Sequence, residues 1–253
     1  MRFFFSAMAM ALAPTTTWAD EAENAAARWV ESVGGKIQRD AKVPGKPVVE
    51  VTFGPVNKKL TNDGLKELRG LKSLKSLTIF FCDQINDAGM KHLKALTTLE
   101  ALNIGNSGVT NDGLAELKEI KKLKSLTVSG CIRMTDECVD TIRGFAELDY
   151  LSLPSTITPK GVKNLVGLKK LKNLYVGGAL LSDAAVKDIA DNLPDLEYLE
   201  LGTFSGNGLT DGAIEHLARL KKLKTLGIAG AKLTATGLKS LQNALPSCSI
   251  TSR

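Results

Sequence analysis

The chain has 253 residues and a formal net charge of +6. A basic excess of this kind suggests a nucleic acid or an anionic surface as partner, and the positions of the charged residues decide whether that suggestion holds. Its four cysteines and two histidines show no spacing typical of a metal site, and we expect no cofactor. No segment after the first residues is long and apolar enough to cross a membrane, which predicts a soluble mature protein.

An export signal is predicted at residues 1–19. Arg2 gives a basic start, the stretch from Phe3 to Ala13 is apolar, and Thr17-Trp18-Ala19 places small residues where a signal peptidase cleaves. The apolar stretch is too short to span a bilayer of roughly 30 Å as a helix. We therefore expect an exported protein that begins at about Asp20 and is periplasmic or extracellular.

An N-terminal cap is predicted at residues 20–47. The segment from Glu21 to Val33 has the pattern of an amphipathic helix with Trp29 and Val30 on its apolar side, and Gly34-Gly35 ends it. A segment of this kind covers the exposed first coil of a repeat protein.

A repeat occupies residues 48–232. Leucines recur at intervals of 25, 24, 25, 23, 25 and 27 residues, each within the frame Leu-x-x-Leu-x-(Leu/Ile/Val), at Leu77, Leu102, Leu126, Leu151, Leu174, Leu199 and Leu226. This spacing is the signature of a leucine-rich-repeat solenoid. The predicted fold class is α/β, a right-handed solenoid arc with parallel strands on the concave face and helices on the convex face. With Val48, Val51 and Phe53, the pattern predicts eight strands.

A small polar residue precedes each predicted helix, and residues of this type cap helices by accepting a hydrogen bond from a free backbone N–H. The series is Thr61, Asn86, Thr110, Thr135, Thr158, Ser182, Thr210 and Thr234. Most are followed within two residues by Asp, which favours the positive end of a helix. After the last of them, Leu238, Leu241, Leu245 and Ile250 predict a final helix and tail, the C-terminal cap at residues 233–253.

The junction from strand to helix resembles the cysteine-containing class of leucine-rich repeats. Cys82-Asp-Gln-Ile-Asn-Asp-Ala-Gly and Cys131-Ile-Arg-Met-Thr-Asp are similar to the motif Cys-x-x-(Leu/Ile)-Thr-Asp-x-Gly-Leu of F-box substrate adaptors and the related ribonuclease-inhibitor folds. The run from Gly34-Gly35-Lys36 to Val51 is similar to the cap of exported leucine-rich-repeat proteins of planctomycete type. The resemblance covers the chain from Val48 onward plus the cap, and it is specific for fold and weak for function.

The four cysteines are predicted to be free thiols. Cys82 and Cys131 occupy the same position in coils two apart, so strands spaced by about 4.8 Å place them about 10 Å apart, beyond disulfide reach. Cys138 falls where other coils carry a glycine, and Cys248 lies near the end.

The basic segments Lys-Lys-Leu-Lys at 121–124, 169–172 and 221–224 belong to an alternating charge pattern. One position of successive coils reads Lys75, Glu100, Lys124, Asp149, Lys172, Glu197 and Lys224, and a second reads Lys122, Glu147, Lys170, Asp195 and Lys222. Alternation gives each stacked lysine an acidic neighbour about 4.8 Å along the sheet. We interpret the pattern as structural and expect no nucleic-acid partner.

All three tyrosines fall on the predicted concave face, in three consecutive coils. Tyrosine is enriched at interaction hot spots, and the unusually long connection from Leu201 to Leu209 adds an aromatic residue beside them. The predicted partner surface consists of Tyr150, Asn173, Tyr175, Tyr198, Glu200 and Phe204. The alternative is that tyrosine occurs there only because it is a good strand former.

The predicted function is a non-catalytic module that binds another protein. His92 and His216 lie in coils five apart, about 24 Å by strand spacing, and both are expected to face solvent. No phosphate loop or nucleophile elbow is present, so no enzyme is expected. A glycan or cell-wall fragment is the alternative partner, because tyrosine faces with Asn and Glu also hold sugars. A structural spacer without a ligand is the second alternative.

Overall fold

A single sheet of ten strands, adjacent in chain order, runs through the computed structural model, which describes residues 18–177, 181–202 and 208–252. The strands are β1 (Gly35–Arg39), β2 (Val48–Phe53), β3 (Ser76–Ile79), β4 (Ala101–Asn103), β5 (Ser125–Thr127), β6 (Tyr150–Ser152), β7 (Asn173–Tyr175), β8 (Tyr198–Glu200), β9 (Thr225–Gly227) and β10 (Ser249–Thr251). Strands β2 to β10 pair in parallel, and β1 pairs antiparallel with β2. The α/β leucine-rich-repeat solenoid and its eight repeat strands, β2 to β9, are confirmed.

Helical segments connect the strands on the other side of the core. They are α1 (Trp18–Ser32), α2 (Asp87–Leu93), α3 (Asn111–Ala115), α4 (Cys138–Ile142), α5 (Pro159–Lys163), α6 (Asp183–Asn192), α7 (Ile214–Leu217) and α8 (Ala235–Ala244), with 3-10 turns at Asp63–Gly70 and Asp211–Ala213. Helices as short as α3 to α5 are unstable in isolation, and stacking against neighbouring coils holds them in place.

The leucines of the repeat form a continuous buried row between the sheet and the helices. In register, Leu102, Leu126 and Leu151 stack on three adjacent strands, and each is at most 1% exposed. Because strand side chains alternate between faces, the residues on either side of each leucine lie on the concave face. The leucine row therefore determines which side chains a partner can reach.

Helix α1 packs on the first coil, and the structure adds one strand that the sequence analysis missed. Val30 of α1 is fully buried, and the ring of Trp29 contacts that of Phe53 edge-on at 5.9 Å between centroids. The segment Gly35–Arg39 forms β1 and has one inward apolar residue, Ile37, too little for a strand pattern. Residues 1–17 of the predicted export signal lie outside the described residues, so cleavage and export stay predictions.

The C-terminal cap contains the predicted helix, α8, in which Leu241 is buried. The predicted tail is a strand, since β10 continues the parallel sheet with Ile250 in register with Leu226. The cap therefore extends the sheet by one strand beyond the eight of the repeat.

A carboxylate from one coil holds the helix start of the next. Asp136 accepts hydrogen bonds from both the backbone N–H of Thr158, at 2.8 Å, and its hydroxyl, at 2.5 Å. The same pair of hydrogen bonds recurs between Asp87 and Thr110, between Asp183 and Thr210, and between Asp211 and Thr234. Sequence analysis assigned these aspartates to their own helix end only, whereas the structure shows that they also tie consecutive coils together.

The predicted N-caps are mostly confirmed. Side chains of Asn86, Thr110, Thr158, Thr210 and Thr234 accept a hydrogen bond from a backbone N–H of the helical turn that follows. Ser182 makes no such bond. In the preceding coil, Pro159 occupies the position at which other coils carry the Asp or Asn that bonds to the next helix start. The helix start at Ser182 therefore lacks both the N-cap bond and the bond from the preceding coil. This junction without the two hydrogen bonds lies between the coil of Tyr150 and the coil of Tyr175.

All four cysteines are free and buried, as predicted. The thiol of Cys131 contacts the carbonyl oxygen of Ile104 in the preceding coil at 3.2 Å. Burial raises the pKa of each thiol, that of Cys138 to about 12. The thiols are therefore packed inside the fold as protonated, apolar side chains.

Candidate functional site

The three tyrosines form one stack on the concave face. Tyr150 and Tyr198 are the first residues of β6 and β8, and Tyr175 is the last residue of β7 between them. The rings of Tyr175 and Tyr198 are stacked, with centroids 4.7 Å apart and planes at 27°. Those of Tyr150 and Tyr175 are 5.3 Å apart and tilted by 45°. The strand register thus converts three residues about 25 positions apart in sequence into a continuous aromatic surface.

The phenol groups are partly withdrawn from solvent. Burial, followed by the effect of Tyr198, raises the pKa of Tyr175 to about 12. The pKa of Tyr150 is also raised, again mainly by burial and then by its neighbour Tyr175. Side-chain hydrogen bonds between Tyr150 and Tyr175 and between Tyr175 and Tyr198 contribute to these shifts, so the protonated hydroxyls form a connected row along the stack.

Glu200, the last residue of β8, lies at the edge of the stack. Its Oε1 accepts a hydrogen bond from the backbone N–H of Gly202 at 3.1 Å, and its Oε2 is 3.4 Å from the hydroxyl oxygen of Tyr198. A side chain on Gly227, in the adjacent position of β9, would overlap this carboxylate. The carboxylate therefore occupies space that is free only because the neighbouring strand carries a glycine at this position.

The structure brings together five of the six residues predicted for the partner surface. Asn173 lies in register between Tyr150 and Tyr198, and its amide donates a hydrogen bond to the carbonyl oxygen of Asp149 at 3.3 Å. Phe204 lies outside the described residues, so its predicted place beside the tyrosines stays a prediction. The binding role of the set likewise stays a prediction.

Gly227 is the residue at this site that sequence analysis missed. The sequence does distinguish Gly227, because it is the one glycine among the concave-face positions that flank Val51 of β2 and the central leucines of β3 to β9. Thr225 flanks the same leucine on the other side. Strand β9 therefore presents only small side chains next to Tyr198 and Glu200.

The two alternating charge series of the sequence, hereafter the charge ladders, contain ion pairs between neighbouring coils. Five pairs between members of the two alternating series are present in the described residues, Lys124–Glu100 at 2.6 Å, Lys170–Glu147 at 2.6 Å, Lys172–Glu197 at 3.4 Å, Lys222–Asp195 at 2.7 Å and Lys224–Glu197 at 2.5 Å. Hydrogen bonds from Lys124 and Lys224 lower the pKa of Glu100 and Glu197, respectively. Within the described residues, five of the nine lysines of the basic segments are thus ion-paired with a neighbouring coil.

We expect weak, salt-labile retention of the protein on heparin, because polyanion affinity depends on lysines that are free to replace counterions. A variant with Glu100, Glu147 and Glu197 changed to Gln is expected to elute at clearly higher salt. The control changes Glu31, Glu67 and Glu119 to Gln, which alters net charge equally at exposed sites outside the ladders. Identical elution of the two variants would show that the pairing does not mask the lysines.

The two histidines do not share a site. His92 Nδ1 is 3.4 Å from Nη2 of Arg69, and His216 Nε2 is 3.5 Å from Glu215. The expectation that both face solvent is wrong for His216, whose side chain is only 16% exposed. Among residues 18–177, 181–202 and 208–252, no group of three metal-ligating side chains comes together, and no helix has the length and apolar character to cross a membrane.

Comparison with known proteins supports the architecture. A family profile described as "Leucine Rich repeat" matches residues 70–94 and 95–118. The solved structure of internalin C2 from Listeria monocytogenes is similar, with a TM-score of 0.53 and 24% identity, over 90% of this chain and 82% of that one. A TLR13–ssRNA13 complex matches with a TM-score of 0.48 and 20% identity, over 73% of this chain and 29% of that one. No curated protein matches in sequence.

The profile match covers the coils that contain α2 and α3, and the same coil recurs in register through β9. The internalin similarity extends the agreement in fold over most of the chain. Membership of the cysteine-containing class and the planctomycete similarity stay predictions. The chain therefore has the leucine-rich-repeat fold.

Proposed function

We propose that the protein is a non-catalytic protein-protein interaction module of the exported compartment, periplasmic or extracellular. It binds a partner protein through the concave face, at the surface formed by Tyr150, Asn173, Tyr175, Tyr198, Glu200 and Phe204. The observation that carries this proposal is the stacking of all three tyrosines of the chain into one group on that face.

The stack is suited to binding because it is already ordered. Each ring is held by its neighbour, so little side-chain freedom is lost when a partner docks. Elsewhere on the concave face the flanking residues are small, as at Ser76, Ala101 and Ser125. Among the described positions that flank the central residues of β2 to β9, the tyrosines are therefore the largest side chains, and rigid aromatic anchors of this kind dominate interface energetics.

A protein partner fits this arrangement better than a glycan. Sugars bind aromatic side chains through open ring faces, whereas the central ring of the stack, Tyr175, lies between Tyr150 and Tyr198, so only the two end rings keep an outer face. The stack offers ring edges and hydroxyl groups over several strands, which match an extended protein surface. A glycan array provides the direct comparison.

Replacing Tyr150, Tyr175 and Tyr198 together by Ala is expected to abolish capture of a partner from an extract of the exported fraction. The thermal unfolding temperature should change little, because the three rings are half-buried and lie outside the leucine core. Capture is measured with the purified protein immobilised and the bound protein identified by mass spectrometry.

The matched control replaces Thr52, Ser76 and Thr78 by Ala, on the same face of β2 and β3. This control is expected to capture the same partner as the unmodified protein. Unaltered capture by the tyrosine variant would refute the site. Loss of capture by both variants would mean that the whole face, and not the tyrosine stack, recognises the partner.

A further inference from the structure

Over strands β2 to β9, the concave face has a charge opposite in sign to that of the whole chain. The chain carries 33 lysines and arginines against 27 aspartates and glutamates. At the positions that flank the strand leucines of β2 to β9, however, the charged residues are Glu50 and Glu200, and none is basic. Because lysines and arginines are excluded from these positions, the face is suited to a cationic group of a partner.

Glu200 is the acidic residue of this face that lies beside the tyrosine stack. Its carboxylate is held by the backbone N–H of Gly202 and lies over Gly227. A carboxylate oxygen accepts more than one hydrogen bond, so Glu200 keeps acceptor capacity while its position is determined. The charge is therefore fixed in place before any partner arrives.

Tyr198 supplies a ring face next to this carboxylate. Its neighbour in the stack, Tyr175, belongs to β7 and covers the side of the ring that faces β7. The opposite side faces β9, where the flanking residues of the described chain are Thr225 and Gly227. A flat group entering from β9 thus contacts a π face and a carboxylate together.

We propose that Tyr198 and Glu200 bind the guanidinium group of an arginine side chain of the partner. This inference rests on the proposed function and adds the chemistry of the residue that is recognised. Guanidinium is planar, stacks on aromatic faces and donates directed hydrogen bonds to carboxylates, whereas the compact ammonium of lysine stacks less well.

The test uses the full chain labelled with carbon-13 in its tyrosine rings, which gives three residues to observe by NMR. N-acetylarginine amide is expected to shift the Tyr198 signals saturably and most strongly. N-acetyllysine amide should bind more weakly, and N-acetylcitrulline amide, which has nearly the same shape without the charge, should not bind. Equal shifts with citrulline would overturn the proposal.

Two charge variants separate a local site from the general field of the face. Glu200→Gln keeps an oxygen acceptor for Gly202 and is expected to weaken arginine binding about fivefold. Glu50→Gln removes the same charge from β2, about 29 Å away by strand spacing, and should leave the affinity unchanged. Equal weakening in both variants would also overturn the proposal.

Failure of this inference is distinguishable from failure of the proposed function. If the tyrosine variant loses the partner while N-acetylarginine amide produces no saturable shift, the concave face binds its partner through other chemistry. If the tyrosine variant retains the partner, the proposed function itself fails. If a partner is captured and an Arg→Lys substitution in that partner abolishes its capture, its contact residue is an arginine. That result supports both the proposed function and the arginine inference.

Discussion

Gly161→Ala is expected to lower the free energy of unfolding by about 2 kcal/mol, the scale of an overpacked site. A Cβ at this position would overlap the carboxylate of Asp136, which lies there to bind the helix start at Thr158. Either the carboxylate moves and its two hydrogen bonds weaken, or the two coils separate. Urea unfolding followed by circular dichroism measures the change.

A double-mutant cycle isolates the cause. Asp136→Ala alone is expected to cost about 1–3 kcal/mol by removing the hydrogen bonds to Thr158. In that background Gly161→Ala should cost less, because the nearest atom left to the new Cβ is Cγ2 of Ile157 at 3.1 Å, which has to move by only a few tenths of an ångström. Alanine also favours the helix over glycine by up to about 1 kcal/mol. Additive effects of the two changes would contradict the steric explanation.

Leu126→Ala is expected to destabilise the protein by about 3 kcal/mol, within the range for buried leucine truncations. Leu126 is fully buried in β5 and stacks between Leu102 and Leu151, so neither neighbouring coil can fill the resulting cavity without shifting its own strand. Calorimetric and urea unfolding both report the loss.

Ser125→Ala is the matched control for Leu126→Ala. Ser125 is the preceding residue of β5 and points to the concave face, where it is half-buried. Its replacement is expected to change the free energy of unfolding by less than about 0.5 kcal/mol. A similar cost for both variants would mean that the strand itself, and not the leucine row, is sensitive to substitution.

Much of the fold followed from the period of the leucines. Equal positions in successive coils lie on the same line of the solenoid, so the spacing predicted the strands, the ion pair of Lys124 with Glu100 and the grouping of the tyrosines. These features depend on position within one coil, which the sequence displays directly. The candidate surface was predictable to the same extent, apart from Gly227.

Other contacts between coils were decided only by the tertiary structure. The antiparallel strand β1 depends on pairing with β2 and not on its own weak pattern. The bond from Asp136 to Thr158 joins residues of neighbouring coils, and the pattern of a single coil does not specify it. Likewise, the ring angles of the tyrosines and the space that Gly227 leaves for Glu200 arise from packing across strands. The sequence by itself determined which residues share a face, because the repeat sets their direction, whereas the structure decided how they touch, because that depends on side chains from separate coils.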